Sequence, residues 1–167
     1  MRSKVMNVVV AGIGGQGAIK ASDILADAAF RAGLQVKKAE IHGMSQRGGS
    51  VSSDVRFGKE VLSPMVPPGE ADFLLVLSAS EVEVNRHSLR PGGVLIPPDF
   101  VEEKSLPNKR SLNVALLGAL SHCLALPASA WSAALEAALP KRSHVLNHTA
   151  FELGRATAQA KGLPRGS

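Results

Sequence analysis

Two glycine-containing stretches hold the residues whose types and spacing could do chemistry. Gly12-Ile13-Gly14-Gly15-Gln16-Gly17 has the G-x-G-x-x-G spacing. Its glycines let the backbone turn tightly and approach a ligand, and the unpaired N–H groups of a following helix can hold an anion. The second stretch is His42-Gly43-Met44-Ser45-Gln46-Arg47-Gly48-Gly49-Ser50. Arg47 offers a planar fork for a phosphate or carboxylate. Met44 is a soft apolar contact. Glu40 closes the strand predicted before this loop, where a ribose-binding acid belongs in a dinucleotide site. Two readings stay open on these residues: a nucleotide cradle, or backbone N–H groups presented to another chain. His42 reads as a structural hydrogen-bonding residue rather than a proton carrier. His122, His144 and His148 lack metal-ligand spacing with an acid or a cysteine, and a helix start at Asn147 would separate the last two. Cys123 falls in an apolar helical stripe and reads as core.

The elements around these loops predict an α/β protein. Residues 5–11 are almost all apolar, as in a strand buried on both faces. A helix stripe follows over 21–32, capped by Gly33. Residues 35–41 read as a second strand, which completes a βαβ unit. Val51, Ser53, Val55 and Phe57 alternate with polar residues, the pattern of a half-exposed strand. A turn at Gly58-Lys59 and a return over 61–63 predict a β-hairpin. A strand at 73–77, a helix over 78–89 closed by Pro91-Gly92-Gly93, and a strand at 94–96 come next. Three further helices are expected: 112–124, 130–139, and one from an Asn147 cap to about Lys161. The expected fold is a three-layer α/β/α sandwich on a mostly parallel, mixed sheet. It has a Rossmann-like first βαβ unit and an inserted hairpin. Residues 1–162 form one domain, and 163–167 read as a tail, the scar of a protease site. Parallel first and second strands would bring both glycine loops to the same carboxyl edge of the sheet.

Composition narrows the function. The chain has 167 residues, a formal net charge of +5 and a single cysteine. One cysteine makes no internal disulfide, no thiolate zinc cage and no four-thiolate iron–sulfur cluster. The basic residues come in scattered pairs such as Lys37-Lys38 and Lys109-Arg110, and tyrosine is absent, so nucleic acid is not the expected partner. The apolar stretches fall short of the ~20 residues that a bilayer span needs. No membrane and no targeting signal are expected, which leaves the cytoplasm.

The loops in their setting resemble a known family. The pieces 8–17, 39–51, Val55-Arg56-Phe57-Gly58 and Ser63-Pro64 resemble the gamma-type subunit of 2-oxoacid:ferredoxin oxidoreductases. The His42–Gly49 form resembles the beta subunit of the indolepyruvate enzyme. The likeness continues through Ala71-Asp72, Pro91-Gly92-Gly93 and residues 113–120. Ser78 and Val84 depart from the family pattern of an acid and an arginine, with Glu81, Glu83 and Arg86 nearby.

The resemblance implies a small subunit without a redox centre, inactive when isolated. It supports thiamine-dependent oxidative decarboxylation of a 2-oxoacid to an acyl-CoA, with electrons passing to ferredoxin. It also implies that the complex uses thiamine diphosphate, iron–sulfur clusters and CoA through other subunits, with no cofactor held tightly here, while both loops face the catalytic subunit and their N–H groups and Arg47 would bind its groups or help hold an anionic cofactor such as CoA. The partner is a larger thiamine- and cluster-bearing subunit, ferredoxin is met indirectly, and a homodimer is one form open to the isolated chain. Gly12, Gly14, Gly15, Gln16, Gly17, His42, Ser45, Gln46, Arg47, Gly48 and Gly49 are the candidate binding residues, and no catalytic or metal-ligating residue is assigned. Two other readings remain: a stand-alone NAD- or FAD-binding protein using the first loop, and a non-enzymatic interaction module.

Overall fold

The computed structural model describes residues 4–43 and 49–166. Five strands form one open sheet: β1 (Met6–Ile13), β2 (Gln35–His42), β3 (Ser50–Gly58), β4 (Ala71–Val76) and β5 (Leu89–Ile96), in the order β2-β3-β1-β4-β5. β1 pairs parallel with β4, and β4 parallel with β5. β3 runs antiparallel to both β1 and β2, so β2 points the same way as β1. The sheet is therefore mixed, with four strands in one direction and β3 reversed.

The α-helices among the described residues are α1 (Ala18–Arg31), α2 (Ser80–Asn85), α3 (Leu112–Cys123), α4 (Ala128–Ala138) and α5 (His144–Ala160). Strand alternation sorts the core into two faces. Val8, Val10, Val55, Phe57, Phe73, Leu75 and Ile96 point toward α1, α3, α4 and α5. Trp131 of α4 meets Phe151 of α5 with ring centroids 5.5 Å apart, tying those two helices together. Val9, Ala11, Leu74 and Val76 point the other way, toward a thinner layer made by α2 and the irregular segment 59–70. The three layers expected from sequence are present, and they are unequal.

Five local expectations are corrected. Residues 61–63 form no strand; Val66 from this segment lies over the sheet instead, its N–H donating to the buried Asp54 carboxylate at 2.9 Å. The hairpin is β2–β3, so the first βαβ unit is not made of adjacent strands. The helix predicted over 78–89 shortens to α2 and a 3-10 turn at Arg86–Ser88. β5 begins at Leu89, and Pro91-Gly92-Gly93 bulges within it, because Ala71 and Phe73 pair with Leu89 and Val94. Finally, α5 starts at His144, and Asn147 lies inside it, donating to the Ser143 carbonyl at 3.0 Å. His144 and His148 therefore share one helix.

The Gly33 cap forms as expected: Gly33 donates to the Phe30 carbonyl and Leu34 to that of Ala29. Leu163, read as tail, packs against the helical layer, and its carbonyl meets His122 Nε2 at 3.1 Å. Among the described residues, no helix is long and apolar enough to cross a membrane.

Candidate functional site

β1 is buried along its middle, so its carboxyl end must release the chain into a turn at the sheet edge. Gly12 is still in β1, paired with Val51 of β3. The turn is closed by Gln16, whose Oε1 accepts the Ile13 N–H at 2.8 Å. Gln16 thus shapes the loop from within. Gly17 caps α1 at φ 86°, a left-handed conformation that glycine adopts without strain. Its carbonyl accepts the Ala21 N–H at 2.9 Å and Asn113 Nδ2 at 3.3 Å. A Cβ at Gly17 would meet that Asn113 nitrogen at 2.5 Å, so the loop and α3 leave no room for a side chain.

The second loop joins the first at its base. Gly14 N–H donates to the Gly49 carbonyl at 3.0 Å, and Gly43 N–H donates to that of Ser50 at 2.6 Å. Ser50 is held in turn by Glu81 of α2: its hydroxyl donates to Oε1 at 2.8 Å. His42 ends β2 with its side chain largely exposed, Nε2 lying 3.8 Å from Glu40. Ser45, Gln46, Arg47 and Gly48 lie outside the described residues.

Beside the first loop lies an open cleft of about 620 Å³, lined by Gly15, Gln16, Gly17, Lys20, Leu77, Lys109, Arg110, Leu112 and Asn113. Three cations border the start of α1, whose first N–H groups have no intrahelical partner. The first turn contains no acid. Lys20 sits there although the helix dipole disfavours a cation at that end. The Lys20 ammonium donates to the Ala138 carbonyl at 3.3 Å, and an anion in the cleft would satisfy the N–H groups and offset the charge of the lysine. Lys109 is shared with Glu103 at 3.3 Å. Lys20, Lys109, Arg110 and Asn113 were not among the residues singled out from sequence. The one local signal was Lys20, a cation at the unfavourable end of a helix; the others come from a segment about 90 positions away.

Glu40 does not serve the first loop as a ribose acid would. β3 separates its strand from β1. Its carboxylate takes the Lys38 ammonium at 2.5 Å, which also meets Asp23 of α1 at 2.6 Å. The Lys38 hydrogen bond and charge hold the Glu40 carboxyl below its ordinary value. Burial alone would lower the Lys38 ammonium, and its bonds to Asp23 and Glu40 outweigh that and raise it. This arrangement removes Glu40 as the ribose acid of the dinucleotide reading.

The protein is thus an open mixed sheet with a glycine loop, a reversed β3 and cations around one cleft. Residues 7–107 match the family described as pyruvate ferredoxin/flavodoxin oxidoreductase, and the chain belongs to it. It is a small, gamma-type subunit of a 2-oxoacid:ferredoxin oxidoreductase. It is 35% identical to the indolepyruvate oxidoreductase subunit IorB of Thermococcus kodakarensis, over 96% of this chain and all of that one. The Pyrococcus horikoshii protein of the same name is 34% identical over 90% of this chain and 95% of its own.

Among solved structures, the gamma subunit of a keto/oxoacid ferredoxin oxidoreductase from Geobacter sulfurreducens superposes with a TM-score of 0.78. It is 24% identical and covers 94% of this chain and 98% of its own. The 2-oxoglutarate:ferredoxin oxidoreductase of Magnetococcus marinus, solved with 2-oxoglutarate, coenzyme A and succinyl-CoA bound, superposes at 0.85 over 99% of this chain. The match is 24% identical and spans 33% of that longer chain. These two likenesses bear on the fold alone.

Proposed function

We propose that this chain is the small subunit of an indolepyruvate-type enzyme and that its two loops bind the anionic part of CoA beside a larger catalytic subunit. The near full-length likeness to two indolepyruvate oxidoreductase subunits carries the substrate class. The overall reaction converts a 2-oxoacid, CoA and two oxidised ferredoxins into an acyl-CoA, CO₂, two reduced ferredoxins and a proton. This chain's part is binding. The first N–H groups of α1, with Lys20 and Arg110, neutralise phosphate charge. His42 and Gly49 stand at the same edge of the sheet, and Ser45, Gln46, Arg47 and Gly48, which lie between them in sequence, are assigned to the same binding role by the family resemblance alone.

Thiamine diphosphate and the clusters belong to that partner. Cys123 is buried on α3, and burial pushes its thiol up to about 11, the opposite of what a metal thiolate needs. The enzyme would work in the cytoplasm.

Reconstitution tests this reading. The purified chain should show no indolepyruvate-dependent ferredoxin reduction alone and full activity with the larger subunit. In that complex, Lys20→Ala and Arg110→Ala should each raise the KM for CoA about three- to tenfold with kcat little changed, since each removes about 1 kcal/mol of exposed charge attraction. Oxidation by the chain alone would overturn the subunit reading. An unchanged KM for CoA in both variants would overturn the cleft assignment.

A further inference from the structure

The thin face of the sheet carries a groove that the proposed anion site does not use. It has a volume of about 380 Å³ and runs between the 65–68 segment and α2, over β1 and β3. Ile41, Met65 and Val84 form its rim, at 44%, 52% and 55% exposure. They are three of the six large hydrophobic side chains left exposed among the described residues. Exposed apolar side chains gathered around one concavity mark a contact surface rather than scattered surface residues.

The groove differs from an ordinary apolar patch in its charge. Two carboxylates line it, Asp54 and Glu81, both at least nine-tenths buried. Among the described residues, Glu81 receives two neutral donors, the Ser50 hydroxyl at 2.8 Å and Asn85 Nδ2 at 3.4 Å. Asp54 Oδ2 accepts the Val66 N–H. Arg56 acts on Asp54 from a distance while its own guanidinium is spent on Asn7 Oδ1 at 2.8 Å and the Ser63 carbonyl at 2.9 Å. Among the described residues that line it there is no lysine or arginine, and the basic groups are His42 and His87. Burial wins at Asp54 and raises its carboxyl, as expected for a charge short of a cation. In a chain of net charge +5 this is a locally acidic concavity with an apolar rim.

We infer that this groove docks a segment of the larger catalytic subunit that carries a lysine or arginine beside apolar side chains, the cation reaching Asp54 and Glu81 and the apolar groups covering Ile41, Met65 and Val84. The inference rests on the subunit reading and adds the face and the chemistry of contact. Glu81 also holds Ser50, so docking acts on the base of the second loop.

The test measures the affinity of the chain for the purified catalytic subunit of indolepyruvate oxidoreductase from the same organism, at two salt concentrations. Val84→Lys should weaken binding at least tenfold. Val84→Glu should weaken it less, because its charge suits a cationic segment. Val145→Lys, at an exposed position of α5, should bind as the unmodified chain does. Equal loss from Val84→Lys and Val84→Glu would overturn the cationic partner. Unchanged binding by both would overturn the surface. A self-association of the chain alone that Val84→Lys abolishes would overturn it in favour of a second copy. Failure of the unmodified chain to bind is a failure of the subunit reading itself, seen before any variant is compared.

Discussion

Single side chains in this protein are set by what lies around them rather than by their own chemistry. Cys123 is a thiol whose surroundings remove its reactivity: at about 11 it is thiolate in only about a thousandth of molecules near pH 8. Iodoacetamide should leave it unlabelled in the folded chain and modify it rapidly in guanidinium; fast labelling of the native state would contradict its burial. Asp54 shows the same logic with the same sign. Its carboxyl is raised, so the folded chain binds that proton more tightly than the unfolded chain. Stability therefore falls as pH climbs from the ordinary carboxylate value through the raised one. Asp54→Asn should melt above the unmodified chain at neutral pH, with the gain vanishing near about pH 3, where both forms are uncharged. His42, Gln16 and Glu40 looked alike as polar candidates in sequence. The structure separates them: Gln16 closes its own loop, Glu40 neutralises Lys38, and His42 remains exposed at the loop's edge.

Between elements, the closest packing is at the crossing of α3 and α5. A Cβ on Gly118 would overlap the Phe151 carbonyl, and one on Gly154 would overlap that of Ala115. The two helices touch backbone to backbone because both crossing points lack side chains. Gly118→Ala favours an isolated helix by up to about 1 kcal/mol. Here it should instead destabilise the fold by about 1–3 kcal/mol, because the helices must part. Urea unfolding checks this; a stabilised variant would show that the crossing is looser. The same helix α3 sends Asn113 to the Gly17 carbonyl, so its seating also sets the glycine loop. The sequence reading found α3 from its apolar stripe but could not say which helix it crosses.

At the scale of the molecule, the two faces of the sheet are covered unequally. Four helices shield one face, and a six-residue helix with an irregular segment shields the other. β2 is an edge strand with little of its length buried. Local opening follows such differences in burial. Hydrogen exchange of the isolated chain should therefore be slowest in β1, β4 and α3 and fastest in β2 and α2. Adding the larger subunit should slow exchange in α2 and 59–70 without changing α3. Equal protection of both faces in the isolated chain would count against this division.

The sequence by itself determined the strand–glycine loop–helix start, the Gly33 cap, the helical stripes and the restriction to one buried thiol. Each of these is a property of neighbouring residues: a period of two or 3.6, or a backbone conformation that favours glycine. The family was legible for the same reason, since its two motifs are contiguous. Only the tertiary structure decided that β3 inserts between β1 and β2, and that Glu40 is thereby removed from the first loop. It also decided that Lys20 shares one cleft with Lys109 and Arg110, and that Asp54 and Glu81 line one groove. Those outcomes depend on pairing between segments tens of residues apart, where hydrogen bonds and burial choose partners that local patterns do not name.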